Sequence, residues 1–238
     1  MEHKGLVERI EAELEQGIAL GRYPRGSLPS EHEMARRYGV SRTTIRAALQ
    51  RLAAKRLITR HPGRRTRTVA VGEVLTLENL KLVLPEEGRA DPARRKLLEG
   101  YFALKREITV DLLAACCQLA PKEDLDLLSS ACFLLRDEAH WELDRSGWVR
   151  QEFELMRLAA HAVDRPGHAL LVQSLEQAFW GFSERVLPHL QGPAIEEWAM
   201  LAFHALLERD GTTLRRELSA RLMALDVQLL DHLAPAPE

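Results

Sequence analysis

Between Ser30 and Lys55 the chain starts a helix twice in quick succession. Ser30 and Glu33 have capping-box spacing: the hydroxyl accepts from one free amide and the carboxylate reaches back to another. Tyr38-Gly39 ends that short segment. Ser41 is a second N-cap, and helical spacing then continues to about Lys55. Two helices joined by a tight glycine turn form a helix-turn-helix unit. On its second helix, Ile45, Ala48, Leu49 and Leu52 fall on one face. At about 100° per residue, Arg42, Thr43, Arg46 and Gln50 gather on a different, exposed face. Arg can donate two bonds to guanine O6 and N7, while Thr and Gln serve bases or phosphates. The helix start also aims free amides at a phosphate. The alternative is an ordinary helix with a solvated basic face.

The flanks favour the nucleic-acid reading. A first helix from about His3 to Leu20 carries Leu6, Val7, Ile10, Leu14 and Ile18 as one apolar stripe. Gly21 stops it, and Tyr23-Pro24-Arg25-Gly26 is a turn. Leu57 to Arg60 and Thr66 to Val71 alternate and are β-branched, around the basic turn His61-Pro62-Gly63-Arg64-Arg65. That predicts a small hairpin, a wing. Arg60, His61, Arg64, Arg65 and Arg67 suit a narrow, electronegative minor groove, and Gly63 permits close backbone approach. A floppy basic loop is the plainer alternative. Residues 1–71 hold 15 Lys+Arg against 7 Asp+Glu, a balance of +8; residues 72–238 hold 18 against 28, a balance of -10. The formal net charge of -2 conceals this division. It suggests a nucleic-acid-binding end joined to an acidic partner domain.

From Thr76 onward the pattern is helical, with breaks at Pro85–Asp91, Pro121, Asp144–Gly147, Asp164–Gly167, Gln191–Pro193 and Asp210-Gly211. Asp91-Pro92 and Gly192-Pro193 both resemble an N-cap followed by proline in the first helical turn. The expected fold is therefore mainly α: an N-terminal winged helix-turn-helix with a small hairpin, then an all-α antiparallel bundle of six or seven helices. Expected domains are 1–71 for DNA binding, 72–91 as a linker with a short helix, and 92–238 as the helical domain. No apolar run approaches the roughly 18 residues of a membrane span. The polar start, Met1 to Leu6, is unlike a secretory signal. Cys116, Cys117 and Cys132 are too few and too clustered for a disulfide framework or zinc ribbon, and Cys116-Cys117 in an apolar helix read as buried thiols. A cytoplasmic protein with no membrane partner is expected. No phosphate loop, nucleophile elbow or zinc-protease helix is present, and acid pairs such as Glu196-Glu197 lack a convergent His. An enzyme is not expected.

Leu28-Pro29-Ser30-Glu31, Ala35, the run Tyr38-Gly39-Val40-Ser41-Arg42-Thr43-Thr44-Ile45-Arg46-Ala47-Ala48-Leu49, and Leu52 together resemble the winged helix of the GntR family of bacterial transcription regulators. The resemblance covers residues 1–71. The helical remainder resembles the effector-binding and dimerisation domain of the FadR subfamily. These resemblances imply a homodimer on a palindromic double-stranded operator, a repressor in type, modulated by a small-molecule effector. A regulator that has lost its effector, with a helical domain serving only dimerisation or protein partners, is the alternative. The implied DNA contacts are His32, Ser41, Arg42, Thr43, Thr44, Arg46, Arg60, His61, Gly63, Arg64 and Arg65. His32 stands where the family usually carries Arg, and Pro62 with Arg64-Arg65 departs from the usual Gly-Arg-Gly-Thr wing.

Many FadR-type domains hold a divalent metal with one Asp and three His. With Phe153 as anchor, those four positions fall here on Arg150, Glu154, Ala199 and Arg221, so the resemblance implies no metal and no other cofactor in this chain. A metal-free branch of the subfamily responds to long-chain acyl-CoA, but its Gly/Ser/Trp pattern is replaced here by Ala220-Arg221-Leu222-Met223-Ala224-Leu225-Asp226-Val227. The implied effector is thus an acyl-CoA or an organic acid. Arg106, Arg150, Glu154, Trp180 and Arg221 are the candidate pocket residues, with Arg as the anion clamp. Against that, Arg150 and Glu154 at i,i+4 would make an ordinary surface pair. Phe179, Trp180, Phe182 and Trp198 read as core or dimer contact rather than ligand box.

Overall fold

The computed structural model describes residues 2–23, 27–60, 66–69, 76, 77, 80, 92–141 and 144–236. Its internal contacts divide the chain into two compact units, Met1–Glu87 and Gly88–Glu238.

In the first unit, α1 (Glu2–Ala19), α2 (Glu31–Tyr38) and α3 (Arg42–Ala54) are followed by β1 (Ile58–Thr59) and β2 (Arg67–Thr68). Ile10, Leu14 and Ile18 of α1 meet Met34, Ile45, Leu49, Leu52, Leu57 and Ile58 in one core. The expected capping box forms: Glu33 N donates to Ser30 Oγ at 3.2 Å, and Ser30 N donates to Glu33 Oε2 at 2.7 Å. Gly39 closes α2 at φ 65°, with its N–H on the Ala35 carbonyl. A side chain there would meet open space but a strained backbone. Two partly enclosed acids of α1 clamp the far end of α3. Glu11 pairs with Arg51 at 3.2 Å and Lys55 at 2.8 Å, and Lys55 also reaches Glu15.

The described part of the hairpin, which leaves out 61–65, 70 and 71, carries the expected pairing. Two residues per strand pair antiparallel, Ile58 with Thr68 and Thr59 with Arg67. Further in, Ser27 bridges to Arg67, and Leu28 N donates to the Thr66 carbonyl at 3.1 Å. The incoming chain thereby adds a third ribbon beside β2. The wing turn 61–65 and most of the linker, including Asp91 with its expected cap, lie outside the described residues.

The second unit runs α4 (Pro92–Leu119), α5 (Lys122–His140), α6 (Arg145–Ala162), α7 (Pro166–Trp180), α8 (Ser183–Val186), a 3-10 turn (Leu187–His189), α9 (Gly192–Leu207), α10 (Gly211–Thr213), a π turn (Leu214–Leu218) and α11 (Ser219–Leu233). The α5–α9 and α5–α6 pairs pack most extensively. A Cβ on Gly192 would lie 2.8 Å from the Ala139 carbonyl oxygen, so α9 starts directly against the end of α5. Phe179, Phe182 and Trp198 are buried, as the core reading expects, while Trp180 is only half-buried; Tyr101 and Phe153 are buried as well. Two boundaries differ from expectation. The break after α7 at Gly181 carries no strong helix-stop pattern; Phe182 leaves helical geometry there and buries its ring beside Tyr101 and Phe179. Gln191, not Gly192, is the N-cap of α9, which puts Pro193 at the second helical residue.

All three thiols are free and buried. Burial pushes Cys116 up to about 12 and Cys117 to about 11, and raises Cys132 too. Inert core thiols follow from that environment.

Candidate DNA interface

The exposed face of α3 begins at its cap. Ser41 Oγ accepts from Thr44 N at 3.2 Å and lies 2.7 Å from Thr43 Oγ1 and 2.8 Å from Thr44 Oγ1. Ser41, Arg42, Thr43, Arg46 and Gln50 are exposed, and so is His32 on α2. Thr44 is the exception among the expected contacts. It is buried, because its position turns toward the Ile45–Ala48 side, and its hydroxyl supports the cap rather than facing outward.

An acid that the sequence reading did not single out organises this face. Glu31, the first residue of α2, accepts from Arg46 Nη2 at 2.9 Å and Arg46 Nε at 3.4 Å. Its Oε1 also accepts from Arg60 Nη2 at 2.9 Å, joining α3 to the base of the wing. The bond from Arg46 is the chief reason that the Glu31 carboxyl sits below its ordinary range, ahead of the charges of Arg46, Arg60 and Arg42. Glu31 was visible in the Ser30-Glu31 motif, but nothing local tells that its partners lie 15 and 29 residues away. His61, Gly63, Arg64 and Arg65 lie outside the described residues.

In the second unit, of the five candidate effector residues only Arg150 and Trp180 are in contact. Arg150 is exposed, lies 3.7 Å from Asp144 and stacks over Trp180 at 5.4 Å. The expected Arg150–Glu154 pair is not made: Glu154 instead accepts from Arg157 at 2.8 Å, and Arg157 also reaches Glu176. Arg221 pairs with Glu197 at 2.9 Å. Arg106 is enclosed and paired with Asp226, next to a second enclosed pair, Lys105–Glu152 at 2.5 Å. Burial raises the Asp226 carboxyl to about 6, partly offset by the charges of Lys105 and Arg106. Of the four positions matched to the metal ligands, Arg150, Glu154 and Arg221 are spent on these contacts and Ala199 is core. Among the described residues no group of three His, Cys, Asp or Glu is placed to hold a metal.

Residues 6–68 match the family described as bacterial regulatory proteins, gntR family. Over 200 residues the chain is 25% identical to a fatty acid metabolism regulator protein of Cronobacter sakazakii, covering 82% of this chain and 78% of that protein. It is 26% identical over 227 residues to the HTH-type transcriptional repressor NanR of Klebsiella aerogenes, covering 93% and 84%. Among solved structures, E. coli McbR/YncC aligns over 94% of this chain and 96% of its own at 15% identity and a TM-score of 0.48.

Proposed function

The N-terminal unit belongs to the gntR family of bacterial regulatory proteins, and from that premise we propose that this DNA-binding transcription regulator acts as a homodimer on an inverted-repeat operator, under control of a small molecule. It is a regulator and not an enzyme. The observation that carries the reading is the exposed start of α3, where Arg42, Thr43 and Arg46 stand beside a capped helix end and Glu31 orients Arg46. A recognition helix reads the major groove with these first turns, and a two-fold protein reads a palindrome. No helix among the described residues is long and apolar enough to cross a membrane. The site of action is the cytoplasm, where the operator lies.

The second copy docks on α5. Leu127, Phe133 and Leu134 are exposed there, as is Trp141 at its C-cap, and Phe133 lies 6.2 Å from Phe203 of α9, ring centre to ring centre. Leu127, Leu134 and Trp141 recur every seven residues, two helical turns apart, and Phe133 lies three residues from Ser130. Turning a second α5 end for end about Ser130 sets Leu127 against Phe133. It also sets Lys122 against Glu138 and Arg136 against Asp124, each cation facing an acid, with Glu123 opposite Asp137 between them. Self-complementarity of this kind is what an isologous interface requires.

The effector is an acyl-CoA or an organic acid, in keeping with the Cronobacter relative's name as a fatty acid metabolism regulator. A second reading, a repressor without effector, is favoured by one observation: the enclosed cations Lys105 and Arg106 already have acid partners. Selection of bound duplexes from a random library, with the dimer mass measured alongside, tests the first statement. An inverted repeat is expected; a single unrepeated half-site overturns it. Measuring affinity for the selected duplex with and without fatty acyl-CoAs and organic acids separates the two readings. A ligand shifts DNA affinity only if it prefers one conformation.

A further inference from the structure

We propose that the unit Gly88–Glu238 binds a small oxyanion, a carboxylate or a phosphate, in a cleft between the start of α6, the 3-10 turn and the end of α11. The cleft holds about 370 Å³, a size suited to a small metabolite. Arg145, His189 and His232 supply its polar wall, and Trp148, Pro188 and Leu190 its apolar one. Among the described residues no Asp or Glu lines it, although residues 72–238 carry ten more acids than Lys+Arg. Three cation-forming side chains gathered without an acid, in an acid-rich stretch, are not an average surface.

The details agree with an anion as occupant. Arg145 lies over the Trp148 ring at 5.9 Å and pairs with no carboxylate among the described residues. The rings of His189 and His232 stack at 4.4 Å, 29° from parallel. His232 Nδ1 is 2.8 Å from the Gln228 carbonyl, which can only accept, so Nδ1 carries the proton and Nε2 remains for a ligand. Partial burial, then the neighbouring His232, hold His189 below the ordinary imidazole range. Two imidazolium rings this close repel each other, and a bound oxyanion reverses that by giving both charges a partner. Among the described residues the charged groups lining the cleft beside the pair are Arg145 from α6 and each ring from the other element. Gln191 and Gly192, at the uncapped start of α9, border the same space, so an occupant would tie four elements together.

The test is calorimetric titration of the full chain with inorganic phosphate and, separately, with citrate at about pH 6, below the ordinary imidazole value. Histidine proton resonances are followed in parallel. One site per chain with a Kd below about 1 mM is expected for at least one probe. Whichever probe binds identifies the oxyanion class. The pKa values of both histidines should rise on binding. Arg145→Ala and His189→Gln should each weaken binding about tenfold, as loss of one charged partner does. Arg216→Ala, on an exposed arginine outside the cleft, should leave it unchanged. His232→Gln, on the opposite wall, serves if either cleft variant is unstable. Absence of saturable binding by both probes overturns the assignment. So does equal binding by the cleft variants, or equal loss in Arg216→Ala. Binding is read on the protein alone, so it stands or falls apart from the operator.

Discussion

Glu31 puts a negative charge in the middle of the surface proposed to meet phosphates, and it holds two arginines there. With Arg46 and Arg60 both on one carboxylate, two long side chains lose freedom before DNA arrives. Glu31→Gln should therefore strengthen binding to random duplex and steepen its salt dependence by about one to two ions, since two arginines are released to phosphates. It should at the same time reduce the preference for operator over random duplex. Anisotropy titrations at several salt concentrations report both. Arg46→Ala should act the other way, weakening operator binding roughly tenfold to hundredfold and random binding much less. Inside the helical unit the residue-scale question is Arg106–Asp226, enclosed on both sides. Arg106→Met leaves a buried acid without its partner and should cost about 3 kcal/mol in urea unfolding. Arg106→Met with Asp226→Leu should recover most of that, because the uncompensated charge is gone.

At the scale of elements, turns and clamps decide where helices sit. Gly39→Ala places a Cβ on a left-handed residue and should lower stability by roughly 1–2 kcal/mol, seen as an earlier urea transition of the first unit. The α1–α3 clamp adds a pH dependence. Burial raises the Glu11 carboxyl, but bonds from Lys55 and Arg51 and their charges outweigh it, and the net direction is down. An acid held below its unfolded value contributes stability above the ordinary carboxylate range and loses it as pH falls through the folded value. A melting-temperature series from neutral pH to about pH 3 should show that loss, and Glu11→Gln should flatten it. These elements also mark what sequence discloses. Ser30, Glu33, Gly39 and Ser41 were legible because a cap is settled within four residues. The apolar stripe of α1 was legible because its period is fixed by the helix. The stop at Gly181 was not, since it exists to bury Phe182 against Tyr101, 81 residues away in the chain. Arg150 and Glu154 sat at the right spacing for each other, yet Trp180 and Arg157 competed and won, which no spacing rule foresees.

At the scale of the molecule, charge and apolar surface are separated along the chain. Residues 1–71 carry the +8 balance, and the exposed apolar face belongs to α5 in the acidic remainder. Phe133→Glu should convert the proposed dimer to monomer in sedimentation, and the selected site should then shrink to one half-site with much weaker binding. If the mass is unaltered, α5 is not the seam. The three sealed cysteines have a practical meaning of another kind. A maleimide dye needs a reachable thiolate, and the native chain offers none of its three. Two cysteines introduced on exposed positions, one at Ala54 at the far end of α3 and one at Leu170, would be the reactive pair in an otherwise wild-type background. Energy transfer between donor and acceptor dyes at those two points would then follow the recognition helix relative to the bundle, molecule by molecule, as operator or oxyanion is added.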